Sequence, residues 1–300
     1  MVCAKDIKII NPNNGSFIYI QTESLSAGTI RFSPDGQILS YYENMGLLRF
    51  VDVASLTEIN ALPIQSLLGI RGYEWSPTGE YIAILNQPDS TSPQNLYLLH
   101  TETWHYEQIT NGMDVSSFVS WSPDGERLLF SASVTGDLAS SDIYMLHIGD
   151  HEMSNLTNNQ AFNMSPDWSS DGQRIVHIMG GGRADSIVIR TRETVEQVID
   201  IETDWFGLPE WALDDNYIML FIQDENSILH LLDPTSQTLT MLANGASMSG
   251  YDLSENGREV VFLTTAPDNR LCILDLITND EQCFEDETPY FAGVPVWQSS

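Results

Sequence analysis

Basic residues are scarce in this sequence. It has 12 Lys and Arg residues against 42 Asp and Glu residues, which gives a formal net charge of -30, and its only lysines are Lys5 and Lys8. A surface with so few cations repels nucleic-acid phosphates and anionic lipids, whereas it attracts cationic peptides and metal ions. We therefore expect no nucleic-acid partner.

The sequence also lacks a long hydrophobic run. No stretch approaches the ~18 apolar residues that are needed to span a bilayer, so we expect no membrane insertion. Residues 1–8 contain no apolar core of a secretory signal.

Cysteine is rare, with three residues at Cys3, Cys272 and Cys283. A structural zinc site needs four close ligands, and this spacing excludes one. Cys272 and Cys283 fall on two consecutive predicted strands joined by a turn at Asn279, so they are either free thiols or a cross-strand disulfide. A disulfide would indicate an oxidising compartment.

Catalytic motifs are missing as well. The segment Gly245–Gly250 superficially resembles a nucleophile elbow, but it lies between two predicted strands and not at a strand-to-helix turn. His100 and His147 occupy equivalent outer positions of a repeat, where neighbouring copies diverge, so we expect no shared metal site. We expect no catalytic residue and no cofactor, and favour a binding protein over an enzyme.

What the sequence does contain is a repeat. An aromatic or aliphatic residue followed by a turn cluster, as in Trp121-Ser122-Pro123-Asp124-Gly125, recurs every 42 to 47 residues. That interval is the length of a four-stranded propeller blade. The first residues of the seven copies, which we predict to be core between blades, are Phe32, Trp75, Trp121, Trp168, Trp211, Leu253 and Trp297.

The motif has the composition of a tight hairpin. Ser opens a type I turn, Pro fixes φ, Asp suits the third position and Gly takes the left-handed conformation. Near-continuous apolar runs such as Tyr81–Leu85 follow it, and these are typical of strands covered on both faces. Another apolar strand such as Asp142–Leu146 and a more polar one such as Glu152–Thr157 complete each copy.

This combination of a WSPDG turn, an apolar strand, an IYxL strand and a closing strand resembles the TolB-like β-propeller family over essentially the whole chain. The resemblance implies an all-β propeller, an extracytoplasmic location (periplasmic or secreted) and interaction with cell-envelope partners. The sequence departs from the family pattern in the fifth copy, where Asp215 replaces the turn glycine, and in the seventh, which is cut short.

We predict a single domain, residues 1–300, with seven blades of four antiparallel strands; six or eight blades are the alternatives. Residues Asp6–Ile10 and Ser16–Ile20 look like third and fourth strands without a first strand before them. The matching first strand lies at the other end of the chain. We therefore expect residues 6–21 and 289–300 to form a closing blade, which would remove the free sheet edges.

The residue directly before the first motif residue is acidic in four of seven copies. The occupants are Arg31, Glu74, Ser120, Asp167, Glu210, Asp252 and Val296. First strands are innermost in a propeller, so Glu74, Asp167, Glu210 and Asp252 would form a ring around the channel, called the acidic ring below. These carboxylates either accept hydrogen bonds within their own blades or hold a cation or a basic side chain.

Loops that lead into first strands would open at one mouth of the channel and carry several aromatic residues. The predicted mouth residues are Arg71, Phe162, Asp204, Trp205, Phe206, Tyr290 and Phe291, with Met164 nearby. Aromatic anchors with a polar rim suit a protein- or peptide-binding surface, although each could instead fill a gap between blades.

We therefore predict a monomeric binding scaffold whose channel mouth takes a protein or a cationic peptide. A channel-bound cation remains an alternative. The alternative function is enzymatic: a propeller lyase, or the gating propeller of a prolyl-oligopeptidase-like peptidase without its hydrolase domain. A lyase needs a basic, histidine-bearing channel, and the acidic ring argues against it.

Overall fold

The computed structural model describes a chain built from β-strands. The described residues are 6–10, 17–21, 25–43, 47–63, 69–134, 140–180, 185–201, 206–222, 228–244, 246–254, 256–264, 270–284 and 296. The all-β prediction is confirmed, since these ranges contain strands and turns but no helix. Within them, no helix has the length and apolar character that crossing a membrane requires.

The strands form six four-stranded antiparallel sheets, the blades, in chain order. Blade 1 contains β3 (Leu25–Phe32), β4 (Ile38–Glu43), β5 (Leu47–Asp52) and β6 (Thr57–Pro63). Blade 2 contains β7 (Ile70–Trp75), β8 (Tyr81–Asn86), β9 (Asn95–His100) and β10 (Tyr106–Gln108). Blade 3 contains β11 (Met113–Trp121), β12 (Arg127–Val134), β13 (Asp142–His147) and β14 (Met153–Asn155).

The second half repeats this order. Blade 4 contains β15 (Phe162–Trp168), β16 (Ile175–Gly180), β17 (Asp185–Arg190) and β18 (Val195–Ile201). Blade 5 contains β19 (Phe206–Ala212), β20 (Tyr217–Ile222), β21 (Ile228–Asp233) and β22 (Thr238–Asn244). Blade 6 contains β23 (Ala246–Leu253), β24 (Glu259–Thr264), β25 (Leu271–Asp275) and β26 (Glu281–Phe284).

The prediction of seven blades is wrong, because the described residues form six. Among the described residues, strands β1 (Asp6–Ile10) and β2 (Phe17–Gln21) pair only with each other, as a two-stranded sheet whose Ile7 packs against blade 1. The motif count overestimated the number of blades because each motif marks a first strand and not a complete blade. Of the expected closing segment 289–300 only Val296 is described, so the single-domain assignment stays a prediction.

The hydrophobic core lies between blades. Trp121 packs with Leu98 of blade 2, and Trp211 packs with Ile189 of blade 4, each indole being 7% exposed. Phe32 and Leu253 are half-buried in equivalent places, whereas Trp297 lies outside the described residues. Since both faces of the inner strands are covered, the sequence needs the near-continuous apolar runs that it has.

The hairpin motif is held by a local set of hydrogen bonds, clearest in blade 1. The Ser33 hydroxyl donates to Asp35 Oδ1 at 2.6 Å and accepts from the Ile38 amide at 2.9 Å. The Gly36 amide donates to the Ser33 carbonyl at 2.8 Å, and Gly36 has φ 66°. Glycine adopts this left-handed conformation without steric cost, which explains its place in the motif.

Two departures from the motif meet between blades 4 and 5. Ser170 stands where blades 1, 2 and 3 have proline, and Asp215, at φ 60°, stands where the other five blades have glycine. The Ser170 amide donates to Asp215 Oδ1 at 2.9 Å, and the Ser170 hydroxyl donates to Asp215 Oδ2 at 2.8 Å. Proline could not supply the amide donor and glycine could not supply the acceptor, so each departure compensates for the other.

Cys272 and Cys283 face each other on β25 and β26 and form a disulfide. Of the two alternatives that the sequence left open, the structure has the bonded one. Cys272 is fully buried in the core between blades 5 and 6, so the covalent bond fastens the outer strand of blade 6 to its interior.

We predict that Trp168→Ala lowers the free energy of unfolding by about 3 to 5 kcal/mol, the range for truncating a large buried aromatic side chain. Trp168 is 5% exposed and packs with Leu129 and Ile143 of blade 3. Urea unfolding measures the change, with Ile277→Ala as the control, since Ile277 is 65% exposed. Equal stability of the two variants would contradict the interblade role of the indole.

We also predict strong coupling between Ser170 and Asp215. Ser170→Pro alone should cost about 1.5 to 3 kcal/mol, because it leaves a buried carboxylate without its donors. Asp215→Gly loses the same bonds but relieves the positive φ, and the double variant restores the common motif at both positions. A double-mutant cycle in urea should therefore give an interaction energy of about 1 kcal/mol or more. Additive single effects would contradict the compensation.

Candidate binding site in the channel

The first strands lie innermost, where those of neighbouring blades contact one another. Several carry a register shift just before the acidic-ring position, for example between Met164 and Asp167 in blade 4 and between Gly207 and Glu210 in blade 5. Such bulges bend a strand and re-aim the side chains next to them. The bulge therefore sets the direction of the residue that precedes the core tryptophan.

Electrostatic influences connect the four members of the predicted acidic ring. Glu210 interacts electrostatically with Asp167, Asp252 and Glu74, and also with Arg31 from blade 1. Five blades thus contribute charged side chains to one region. Ser120 completes the set in blade 3.

One arginine already occupies the ring. Arg31 Nε donates to Glu74 Oε2 at 2.8 Å, and the two side chains are 30% and 36% exposed. The charge of Glu74, and in smaller part that of Asp252, raises the pKa of Arg31. A guanidinium from blade 1 therefore pairs with a carboxylate from blade 2.

Asp167 links three blades. It accepts a hydrogen bond from the Ser120 hydroxyl of blade 3 at 2.8 Å and another from the Trp211 amide of blade 5 at 3.1 Å. Asp167 therefore receives hydrogen bonds from neighbouring blades as well as from the Trp168 backbone of its own blade. Loss of hydration raises the pKa of Asp167 to about 6, because it outweighs the hydrogen bonds that favour the ionised form.

Glu210 has a different environment. Among the described residues its carboxyl group has no hydrogen-bond partner. Burial raises the pKa of Glu210 well above its ordinary value, and repulsion from Asp167 and Asp252 raises it further. Glu210 and Asp167 thus resist simultaneous ionisation, as carboxyl groups that share a site do.

The predicted mouth is only partly described. Phe162, the first residue of β15, is 37% exposed, whereas Met164 packs into the core between blades 4 and 5. Arg71 is exposed and donates to Gln87 Oε1 at 3.0 Å. Phe206 begins β19. The other predicted mouth residues, Asp204, Trp205, Tyr290 and Phe291, lie outside the described residues, so the aromatic mouth stays a prediction.

The sequence placed Arg31 and Ser120 at the ring position without assigning them a role, and it did not point to Tyr73 and Tyr251. Burial raises the pKa of Tyr251 well above its ordinary value, and the neighbouring charges of Glu210 and Asp252 add to this. Burial also raises the pKa of Tyr73. The signal was present, because in blades 2 and 6 a tyrosine directly precedes the ring acid.

The histidines that share a repeat position do not meet each other in the described chain. His147 Nδ1 lies 2.8 Å from Asp150 Oδ1, and His100 Nε2 lies 3.6 Å from Glu80 Oε1. Each therefore pairs with an acid of its own blade.

Comparison with known proteins relates this fold to a known propeller family. Residues 70–297 match the family described as the TolB beta propeller domain. TolB from Acinetobacter baumannii superposes with a TM-score of 0.62 at 16% identity, covering 97% of this chain and 78% of that chain. A putative TolB from Agrobacterium tumefaciens gives a TM-score of 0.57 at 20% identity, covering 80% and 88%.

A structure with a different name is also similar. Oligogalacturonate lyase from Vibrio parahaemolyticus gives a TM-score of 0.70 at 12% identity, covering 95% of this chain and 85% of that chain. At such identities the likeness concerns the fold alone. No curated protein sequence matches the chain.

We predict that stability depends on pH through Asp167. Its folded pKa of about 6 exceeds the ordinary 3.8, so between these values the folded protein binds more protons than the unfolded chain. The free energy of unfolding should therefore fall as pH rises from about 4 to about 6. Asp167→Asn should make that decline shallower in urea titrations.

Glu152→Gln is the matched control, because it removes one exposed carboxylate outside the channel. It should keep the slope of the parent protein. An Asp167→Asn variant with an unchanged slope would contradict the raised pKa.

Proposed function

The chain belongs to the TolB β-propeller domain family, and from that premise we propose that it is a binding module whose channel receives a cationic segment of a protein partner. Fold alone does not fix this function, since propellers host many activities. The proposal therefore depends on the chemistry of the acidic ring.

The pairing of Arg31 with Glu74 is the observation that carries the proposal. It provides an internal example of a guanidinium bound between blades at this depth of the channel. Glu210 lies on the same ring without a hydrogen-bond partner among the described residues. An arginine or lysine side chain from a partner would provide Glu210 with the counter-charge that Arg31 provides for Glu74.

The raised pKa values of Asp167 and Glu210 also support binding of a cation. A cation placed between them would stabilise their ionised forms, so binding would release protons. Affinity for the cation should then increase with pH. The net charge of -30 would steer a cationic segment towards the protein, in a manner that salt screens.

We further propose an extracytoplasmic location. The disulfide between Cys272 and Cys283 supports it, because such bonds persist in oxidising compartments and are rare in the cytosol. A partner in the cell envelope fits this location.

The enzymatic alternatives receive less support. The likeness to oligogalacturonate lyase is one of fold at 12% identity, and the ring residues contributed by first strands are mainly acidic. We therefore propose that the protein binds its partner and does not catalyse a reaction on it.

We predict opposite effects for two substitutions in the ring. Glu210→Gln should weaken binding of a fluorescent Arg-containing peptide by about tenfold or more, since it removes a counter-charge at a desolvated site. Arg31→Gln should strengthen binding, because it releases Glu74 for the peptide. Fluorescence anisotropy at several salt concentrations measures both, with the peptide of reversed charge as a blank.

Surface variants with the same charge changes are the controls. Glu126→Gln and Arg127→Gln alter exposed or half-exposed side chains of the blade 3 hairpin, outside the ring. If they change affinity as much as the ring variants, the peptide responds to net charge and not to the channel. If Glu210-dependent binding is seen for MnCl2 but not for the peptide, the ring is a metal site and the peptide proposal is wrong.

A further inference from the structure

A cavity lies between blades 3 and 4, and none of the acidic-ring residues lines it. Its volume is about 210 Å³, and it is bordered by one face of blade 4 and by the segment that follows β14, including Leu156 and Thr157. His177 on β16 pairs with Val188 on β17, and Arg190 lies two residues further along β17. Residues two apart share a face of a strand, so His177, Val188 and Arg190 all lie on the cavity side.

Arg190 is a buried cation whose contacts are neutral. It is 5% exposed, and it donates from Nη1 to the Leu156 carbonyl at 2.5 Å, from Nε to the Thr191 carbonyl at 2.9 Å and from Nη2 to the Arg192 carbonyl at 3.2 Å. A guanidinium has five N–H groups, so two remain. Burial lowers the pKa of Arg190.

No carboxylate of the described residues forms an ion pair with Arg190. Other arginines of this acidic chain do have one, for example Arg49 with Glu58 and Arg258 with Asp275, and these are more exposed. Burial of a cation without a counter-ion is costly, because neutral carbonyls compensate its charge only in part. The cavity is therefore positioned for an anion.

His177 provides the second, independent observation. It is 2% exposed and lines the same cavity, and its Nδ1 lies 3.2 Å from the Ile178 carbonyl. Its Nε2 is buried and has no hydrogen-bond partner among the described residues. Burial, together with the charge of Arg190, lowers the pKa of His177 to about 4. A native structure seldom leaves such an atom unsatisfied without a reason.

We propose that this cavity binds a small organic anion, a carboxylate with a short aliphatic tail, through the two remaining N–H groups of Arg190. The aliphatic side chains of Val188 and Val195 would contact the tail. Polar groups of Thr157 and Asn159 lie on the opposite side.

Nearby acids oppose this binding and make Arg190 necessary for it. Glu193 lies on the turn between β17 and β18 and lines the cavity. Asp142 of blade 3 accepts hydrogen bonds from the Thr157 hydroxyl at 2.7 Å and from the Asn159 amide at 3.3 Å. Glu193 and Arg190 line the cavity together with His177, and Asp142 holds the Thr157 and Asn159 segment of blade 3.

Binding of the anion should be accompanied by proton uptake at His177. An anion beside His177 favours its imidazolium form and offers an acceptor for Nε2, so the folded pKa of His177 would rise from about 4. Affinity should then increase as pH falls. A sulfonate probe is needed to see this, since it stays ionised where a carboxylate begins to bind protons.

The experiment uses isothermal titration calorimetry with butyrate and 1-propanesulfonate, and with 1-butanol as the uncharged control. We expect saturable binding of both anions and none of the alcohol. Val198→Asp places a negative charge at the mouth of the cavity without touching the contacts of Arg190, and Val198 is 45% exposed. It should weaken both anions by about tenfold, a factor that corresponds to one close charge at partial exposure.

Met241→Asp is the matched control, because Met241 is 59% exposed on β22, the outer strand of the next blade. It should leave affinity within about twofold, as expected for a distant screened charge. His177→Gln should keep binding at neutral pH but abolish the rise in sulfonate affinity between about pH 7.5 and about pH 5.5.

Three results would overturn the proposal. The first is the absence of saturable binding up to about 20 mM, because a dissociation constant above that concentration would correspond to very weak binding. The second is equal weakening by Val198→Asp and Met241→Asp. The third is a pH dependence that His177→Gln retains. In those cases Arg190 serves only to tie the Leu156 carbonyl of blade 3 to blade 4.

Discussion

Apolar packing between neighbouring blades is the interaction on which the rest of this structure depends. A four-stranded sheet with apolar residues on both faces cannot be stable alone, because one face or both would meet water. The core clusters combine adjacent sheets, as where Trp211 of blade 5 lies among isoleucines of blade 4. Stability is therefore shared between blades, as in other repeat proteins, and the innermost strands are pressed together as a result.

That compression produces the electrostatics of the channel. The first strands carry Glu74, Asp167, Glu210 and Asp252, and packing brings them within range of one another whether or not their charges agree. Two arrangements reduce the repulsion between these carboxylates: Arg31 neutralises Glu74, and Asp167 accepts hydrogen bonds from both neighbouring blades. Among the described residues, Glu210 has neither a paired arginine nor a hydrogen-bond donor. Its pKa is therefore raised well above the ordinary value.

Some of this could be predicted from the sequence and some could not. The hairpin around Ser33 and Gly36 is local, so residue types alone identify it, and the repeat places the four acids at equivalent positions of their first strands. The number of blades did not follow, because the motif marks only one strand in four. The partners of Asp167 are 44 and 47 residues away, and nothing in the motif selects Ser120 or the Trp211 amide as its donors. Arg190 and His177 carry no repeat signal, so only packing reveals their shared cavity.

The bond between Ser170 and Asp215 has a consequence for the identity of the blades. Copies that keep proline and glycine in the turn are equivalent and would tolerate exchange of one hairpin for another. Blades 4 and 5 have lost that equivalence, since each now carries half of a matched pair. A chimaera that moved either hairpin to another blade would leave a buried carboxylate without its donors, so this pair requires blades 4 and 5 to be neighbours.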